Sequence, residues 1–201
     1  MTDTRNRILT ATAELFRLRG YNGTSLKQIT TAAAAPTGSL YHFFPGGKEH
    51  LAEAVILTSG EAYRELFEMV YAAATSPAAA ITDFFNGAAE VLEESDYLDP
   101  CPIGSVALEV ASTNERLRRA THDVFASWLD SAATRLEADG IPRAHAEELA
   151  VALVAAVEGG FMLSRAARSP EPMRTTGQLI GRLVEDALGS ATAARDQATT
   201  H

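Results

Sequence analysis

The stretch from Thr24 to Lys48 reads TSLKQITTAAAAPTGSLYHFFPGGK. Thr24 and Ser25 are cap-type residues placed before a short apolar-periodic run, Leu26 to Ala34, which predicts a helix. Pro36-Thr37-Gly38 breaks that helix, and a second short one is expected over 37–43 before Pro45-Gly46-Gly47 stops the chain again. Leu26, Ile29 and Ala33 fall on one face of the first helix, and Ala32 to Ala35 are small enough to let the two helices cross closely. Leu40 and Phe44 are spaced to point inward from the second helix. Thr37, Ser39, Tyr41 and His42 then face outward. Two short helices joined by a tight turn make a helix-turn-helix. Hydroxyls and an aromatic donor on the outer face of its second helix suit phosphates and base edges in a major groove. Thr24 or Ser25 at a helix start offers backbone N–H groups to a phosphate, and Lys27 and Lys48 add positive charge.

The same punctuation continues on both sides. Of the 201 residues 37 are alanine, the strongest helix former, and alternating β-branched or aromatic runs are absent. Helices are expected over 5–18, 26–34, 37–43, 48–74, 78–94, 103–111, 115–138, 143–168 and 173–189, which makes the chain all-α with about nine helices. Its expected organisation is a three-helix helix-turn-helix head over 1–47 and a larger helical body over 48–189. The small polar residues 190–201 are expected to be a flexible tail.

The net charge is −9, which on its face argues against nucleic acid. The distribution says otherwise. Residues 1–50 hold six basic and three acidic side chains, net +3, and residues 51–201 hold eleven basic and twenty-three acidic, net −12. The only cysteine, Cys101, excludes an internal disulfide and a cysteine-based zinc cluster. Residues 1–16 carry Asp3, Arg5, Arg7 and Glu14 and lack the apolar core of a signal peptide. The longest apolar run, Leu149 to Val157, has nine residues, about half of what spans a bilayer. The expected location is the cytoplasm. The five histidines are scattered, so no metal site and no cofactor are expected. No phosphate loop, nucleophile elbow or zincin motif is present, so the chain does not read as an enzyme.

The chain resembles the TetR/AcrR family of bacterial transcriptional repressors over about its first 55 residues. The resemblance rests on Phe16, Gly20-Tyr21, Thr24, Ile29 and the run Thr37-Gly38-Ser39-Leu40-Tyr41-His42-Phe43-Phe44-Pro45, followed by Lys48-Glu49 and Leu51. Gly46-Gly47 stand where the common pattern has one residue. That feature, with Cys101-Pro102-Ile103-Gly104, is similar to the LmrA- and YxaF-like branch. The resemblance implies a homodimeric, ligand-responsive repressor that binds a (pseudo)palindromic double-stranded operator. It assigns DNA contact to the region of Thr24, Ser25, Lys27, Thr37, Gly38, Ser39, Tyr41, His42 and Lys48. It also implies that the last two helices pair with those of a partner. Stripes of Leu149, Leu153, Ala156, Val157 and Gly160, and of Met173, Gly177, Ile180 and Val184, fit such an interface.

The middle helices are implied to enclose a small-molecule effector. Tyr63, Phe67, Phe84, Phe85, Phe125, Trp128 and Phe161 are candidate lining residues, joined by Cys101, Ile103, Val106 and the polar Glu109. Any one of these aromatics also reads as packed core. Together they favour an apolar or aromatic effector over a highly charged one. A second reading of the whole chain is a small-molecule binding or sensor protein with no specific operator.

Overall fold

Several helices begin where a cap or a proline relieves the unpaired N–H groups of the first turn. A computed structural model describes the backbone of residues 2–98 and 101–199, and the side chains of 3–98 and 101–193. Among the described residues there are nine helices and no strand. They are α1 (Thr2–Arg19), α2 (Leu26–Ala32), α3 (Thr37–Phe43), α4 (Gly47–Ala73), α5 (Pro77–Glu94), α6 (Pro102–Val110), α7 (Glu115–Ala138), α8 (Arg143–Ala167) and α9 (Glu171–Thr199). Ser76 caps α5 by accepting from Ala79 N, with Pro77 in the first turn where its missing N–H costs nothing. The Cys101 thiol caps α6 by accepting from Gly104 N, and Pro102 again occupies the first turn.

The end of the last helix differs most from expectation. The chain does not leave the helix at Gly189: α9 runs on to Thr199. Gly189 costs a helix only about 1 kcal/mol, and the alanine-rich residues after it recover that, with Ala191 buried. Residues 190–199 are therefore helical rather than a flexible tail, and 200–201 lie outside the described residues.

The helices divide into two compact units, with boundaries inside α4, between α5 and α6, and inside α7. Unit 1 is Met1–Ala62 with Asp99–Val124, and unit 2 is Tyr63–Leu98 with Phe125–His201. In unit 1, α1 packs on α2, α3 and α6. Ile8, Phe16, Ile29, Leu40, Phe44, Leu51, Ile56, Ile103 and Leu117 are fully buried there.

In unit 2, α9 packs on α5 and α8. Its glycines set that distance. A Cβ on Gly177 would lie 2.4 Å from the Phe85 Cβ, and one on Gly181 would lie 2.7 Å from the Thr82 hydroxyl. Across the α8–α9 pair, a Cβ on Gly160 would lie 2.7 Å from the Met173 sulfur. The Ser164 hydroxyl, fully buried, accepts the Met173 N–H at 3.0 Å and closes the turn between the two helices. Leu149, Leu153, Val157, Met173, Ile180 and Val184 are buried in one cluster with Phe67, Ile81, Phe85 and Leu136. The two stripes expected to face a partner thus line the core of their own chain, and Gly160 and Gly177 serve helix packing within it. Ala156 is half-buried against the same cluster. By composition α8 is long and apolar enough to cross a bilayer, but Leu149, Leu153 and Val157 along one side of it are buried in this core.

Candidate nucleic-acid interface

The head is built from the cap of α2 outward. Ser25 and Gln28 form a reciprocal capping box: the Gln28 N–H donates to the Ser25 hydroxyl at 3.3 Å, and the Ser25 N–H donates to Gln28 Oε1 at 2.7 Å. Ile29, Thr30 and Ala33 are buried, whereas Lys27 is exposed. The chain then turns through Ala34, whose φ of +46° lies in the left-handed region. Ala34 N donates to Thr31 O and Ala35 N to Thr30 O, which closes the end of α2. Arg7 of α1 donates from Nε to Ala33 O at 3.2 Å and ties the same turn down. An alanine pays a steric penalty at such a φ that glycine does not. Ala34→Gly is expected to raise stability by up to about 1 kcal/mol, a rise in Tm of about 2–4 °C in a thermal melt.

Recognition-type geometry follows in α3. Leu40 and Phe44 are fully buried and fix the helix against the head's core. Thr37, Gly38, Tyr41 and His42 are exposed, with Ser39 half-buried beside them. Tyr41 keeps 49% of its surface open to solvent. The His42 ring stands edge-on to Phe43 at 5.0 Å, which limits its freedom. Nothing lies within 4 Å of where a Cβ on Gly38 would be, so the backbone itself is open to close approach there. Gly47 takes a φ of +63° and begins α4, and a Cβ there would touch the Tyr41 ring at 3.6 Å. The paired glycines therefore make a tight turn beside the exposed tyrosine.

Two expected contacts are placed differently. Thr24 is buried, and its hydroxyl donates to Gly20 O at 2.9 Å and to Leu15 O at 3.2 Å, so it closes the end of α1 instead of facing a phosphate. Lys48 is half-buried with its Nζ 4.2 Å from the centre of the Tyr21 ring. Burial lowers the pKa of its ammonium from the usual lysine value, and the negative charge of Glu109 works in the other direction. Arg5 lies over the Phe44 ring at 5.6 Å.

The residues expected around an effector separate between the units. In unit 2, Trp128 meets Tyr63 at 6.2 Å and Phe125 at 5.5 Å between ring centres, and Phe67 meets Phe84 at 5.4 Å. Phe161 is half-buried against the unit 2 cluster. Beside these rings the Tyr71 hydroxyl donates to Asp139 at 2.6 Å. Burial first, and Asp139 second, raise its pKa above the usual tyrosine value. Glu68 accepts from Ser131 and Arg135, which fastens the end of α4 in unit 2 to α7. Phe85 departs from the expectation: it is fully buried beneath Gly177 and is a packing residue. In unit 1, Cys101, Ile103 and Val106 are buried. Glu109 is also reassigned, because its carboxylate accepts the backbone N–H groups of Tyr21 and Asn22.

The sequence reading missed one surface. Val151, Met162 and Leu163 on α8 and Leu179 and Leu183 on α9 are 42–65% exposed. Val151, Ala155, Gly159 and Met162 follow one another at spacings of four, four and three, a second helical face that the more apolar inner stripe had masked. Among the described residues, no three His, Cys, Asp or Glu side chains are grouped to hold a metal ion.

The comparisons with known proteins agree with this geometry. A family profile described as "Bacterial regulatory proteins, tetR family" matches residues 8–55. One described as "Transcriptional regulator LmrA/YxaF-like, C-terminal domain" matches residues 77–179. The HTH-type transcriptional regulator YxaF of Bacillus subtilis is 34% identical over 90% of this chain and 95% of its own length. The regulator LmrA of the same organism is 34% identical over 85% and 91%. A TetR transcriptional regulator from Legionella pneumophila has a crystal structure that superimposes with a TM-score of 0.78 at 25% identity, covering 88% of this chain and 95% of that one.

Proposed function

The chain belongs to the TetR family of bacterial regulatory proteins, with an LmrA/YxaF-like C-terminal domain, and we propose that it is a homodimeric repressor released from its operator by a small apolar or aromatic molecule. It is a transcriptional regulator and not an enzyme. What carries the DNA-binding reading is the contrast across α3: Leu40 and Phe44 buried, Thr37, Gly38, Tyr41 and His42 exposed. Buried anchors hold the helix rigid, and the exposed face supplies hydroxyl, phenol and imidazole donors to base edges and phosphates. Ser39 lies beside that face, Lys27 on α2 is exposed, and the capped start of α2 at Ser25 offers N–H groups to a phosphate.

A homodimer is supported by the exposed apolar face on α8 and α9, which a soluble chain gains by covering. Met162→Glu places a charge on that face and removes no buried group. It is expected to give a folded monomer by sedimentation, whereas an unchanged dimer would move the interface elsewhere. Two heads on a two-fold axis read half-sites one DNA turn apart, about 34–36 Å, or a multiple of it. The acidic body repels DNA outside the heads and favours one docking orientation.

The effector reading rests on the unit 2 aromatics, Tyr63, Phe67, Phe84, Phe125, Trp128 and Phe161. To weaken operator binding 100-fold, a ligand must favour the released state by about 2.7 kcal/mol. The test is a gel-shift of the purified protein on the DNA upstream of its own gene, across a salt series and with aromatic compounds added. Retarded DNA, lost steeply with salt and released by a subset of the compounds, is the expected result. A body that binds aromatics above a head without sequence preference would make the chain a sensor instead.

A further inference from the structure

Gly20, Tyr21 and Asn22 form the turn that joins α1 to α2. Gly20 takes a φ of +71°, and its N–H donates to Phe16 O at 2.8 Å. The Glu109 carboxylate of α6 stands against this turn and uses both oxygens: Oε1 accepts the Tyr21 N–H at 3.1 Å, and Oε2 accepts the Asn22 N–H at 2.8 Å. The approach is so close that a Cβ on Gly20 would lie 1.9 Å from Oε1. Glycine suits the turn for its φ, and a side chain there would have to push the carboxylate aside. Lys48 completes the group, its ammonium over the Tyr21 ring and within the field of Glu109.

We propose that Glu109 is a positioning residue for DNA binding, fastening the α1–α2 turn, and that Lys48 is its neutralising partner rather than a phosphate ligand. This rests on the DNA-binding reading above. Only Gly23, Thr24 and Ser25 separate the fastened turn from α2, and the Thr24 hydroxyl is itself bonded back to α1. The position of the turn thus sets where α2 begins, and with it where α3 lies. Carboxylate acceptors hold backbone N–H groups more tightly than neutral ones do, which suits a fastening that must not slip when the head is loaded with DNA. A Lys48 ammonium withdrawn to reach a phosphate would leave the ring and strip Glu109 of its counter-charge.

The test measures binding of the full chain to the duplex upstream of its own gene by fluorescence anisotropy over a potassium chloride series. Wild type is compared with Glu109→Ala, Glu109→Gln, Lys48→Met and the Glu109→Ala, Lys48→Met double variant. Glu109→Ala is expected to weaken binding at least about tenfold. The isosteric Glu109→Gln keeps one acceptor and should fall between. Lys48→Met should leave the salt slope unchanged and cost nothing further once Glu109 is gone. A lost phosphate contact would instead lower the slope by about 0.9 per contact and add to the Glu109→Ala loss, which overturns the assignment of Lys48. Glu109→Ala binding within twofold of wild type overturns the assignment of Glu109. Amide hydrogen exchange at Tyr21 and Asn22 reads the fastening without DNA. Both amides should be protected in wild type and exchange faster in Glu109→Ala; equal rates would overturn the proposal. A wild-type chain that retards no DNA would instead count against the DNA-binding reading.

Discussion

Replacing Tyr41 by alanine is expected to weaken operator binding by at least about 30-fold while leaving the thermal melt within about 2 °C of wild type. The two halves of that expectation come from different parts of the structure. Tyr41 is half-exposed on α3, with its ring beside Gly47, so truncation removes little buried packing. Its phenol is one of four outward groups on a helix whose buried side, Leu40 and Phe44, cannot reach DNA. One good side-chain contact to a base edge is worth about 1–3 kcal/mol. A dimer loses two of them, and 2 kcal/mol at the low end is about 30-fold in affinity. Anisotropy titration and a melt on the same preparation check both halves. A variant that melts like wild type and binds within threefold of it would remove Tyr41 from the interface.

The largest effect on stability is expected at Gly177. Gly177→Val would set a branched side chain where even a Cβ lies 2.4 Å from the Phe85 Cβ. Phe85 cannot retreat, because it is fully buried among Ile81, Ala89 and the α8 and α9 residues of the same cluster. The contact is side chain against helix backbone across the α5–α9 pair, so relief requires one helix to move. Overpacking of this kind costs about 3 kcal/mol. For a chain of this length that lowers Tm by about 6–12 °C. Gly87→Ala on α5 is the matched control, since Gly87 is exposed and nothing lies within 4 Å of its Cβ position. It should hold or slightly raise Tm, because alanine is the better helix former.

Gly177 also shows how far the sequence could be read. Helix positions were legible because proline and glycine punctuate the chain: Pro36, Pro45, Pro77, Pro102 and Pro142 each stand beside a helix start. The head was legible because α2 and α3 are short, and few arrangements bury Ile29, Leu40 and Phe44 while leaving Tyr41 and His42 outside. Which face of α8 and α9 meets what was not legible. Both faces are apolar at helical spacing, and periodicity alone does not distinguish an inner core from an outer interface. Leu149, Leu153 and Ile180 proved to be the inner face, and Val151, Met162 and Leu183 the outer one.

Glu109 was hidden for another reason. It meets Tyr21 and Asn22 across nearly ninety residues of sequence, and an acidic side chain on a short apolar helix carries no mark of its partner. The only local signal was Gly20, a glycine whose lack of a side chain serves the carboxylate as well as the turn. The end of α9 illustrates the converse. Residues 190–199 are small and polar enough to suggest a tail, yet alanine makes them helical.

Selection of bound duplexes from a pool of random double-stranded DNA, carried out with the purified chain at physiological salt, tests the central claim most directly. The account predicts one enriched sequence with two-fold symmetry, its half-sites centred one helical turn or a multiple apart, and loss of that enrichment in Tyr41→Ala. A pool that stays random, with binding that depends on salt but not on sequence or on Tyr41, would contradict it.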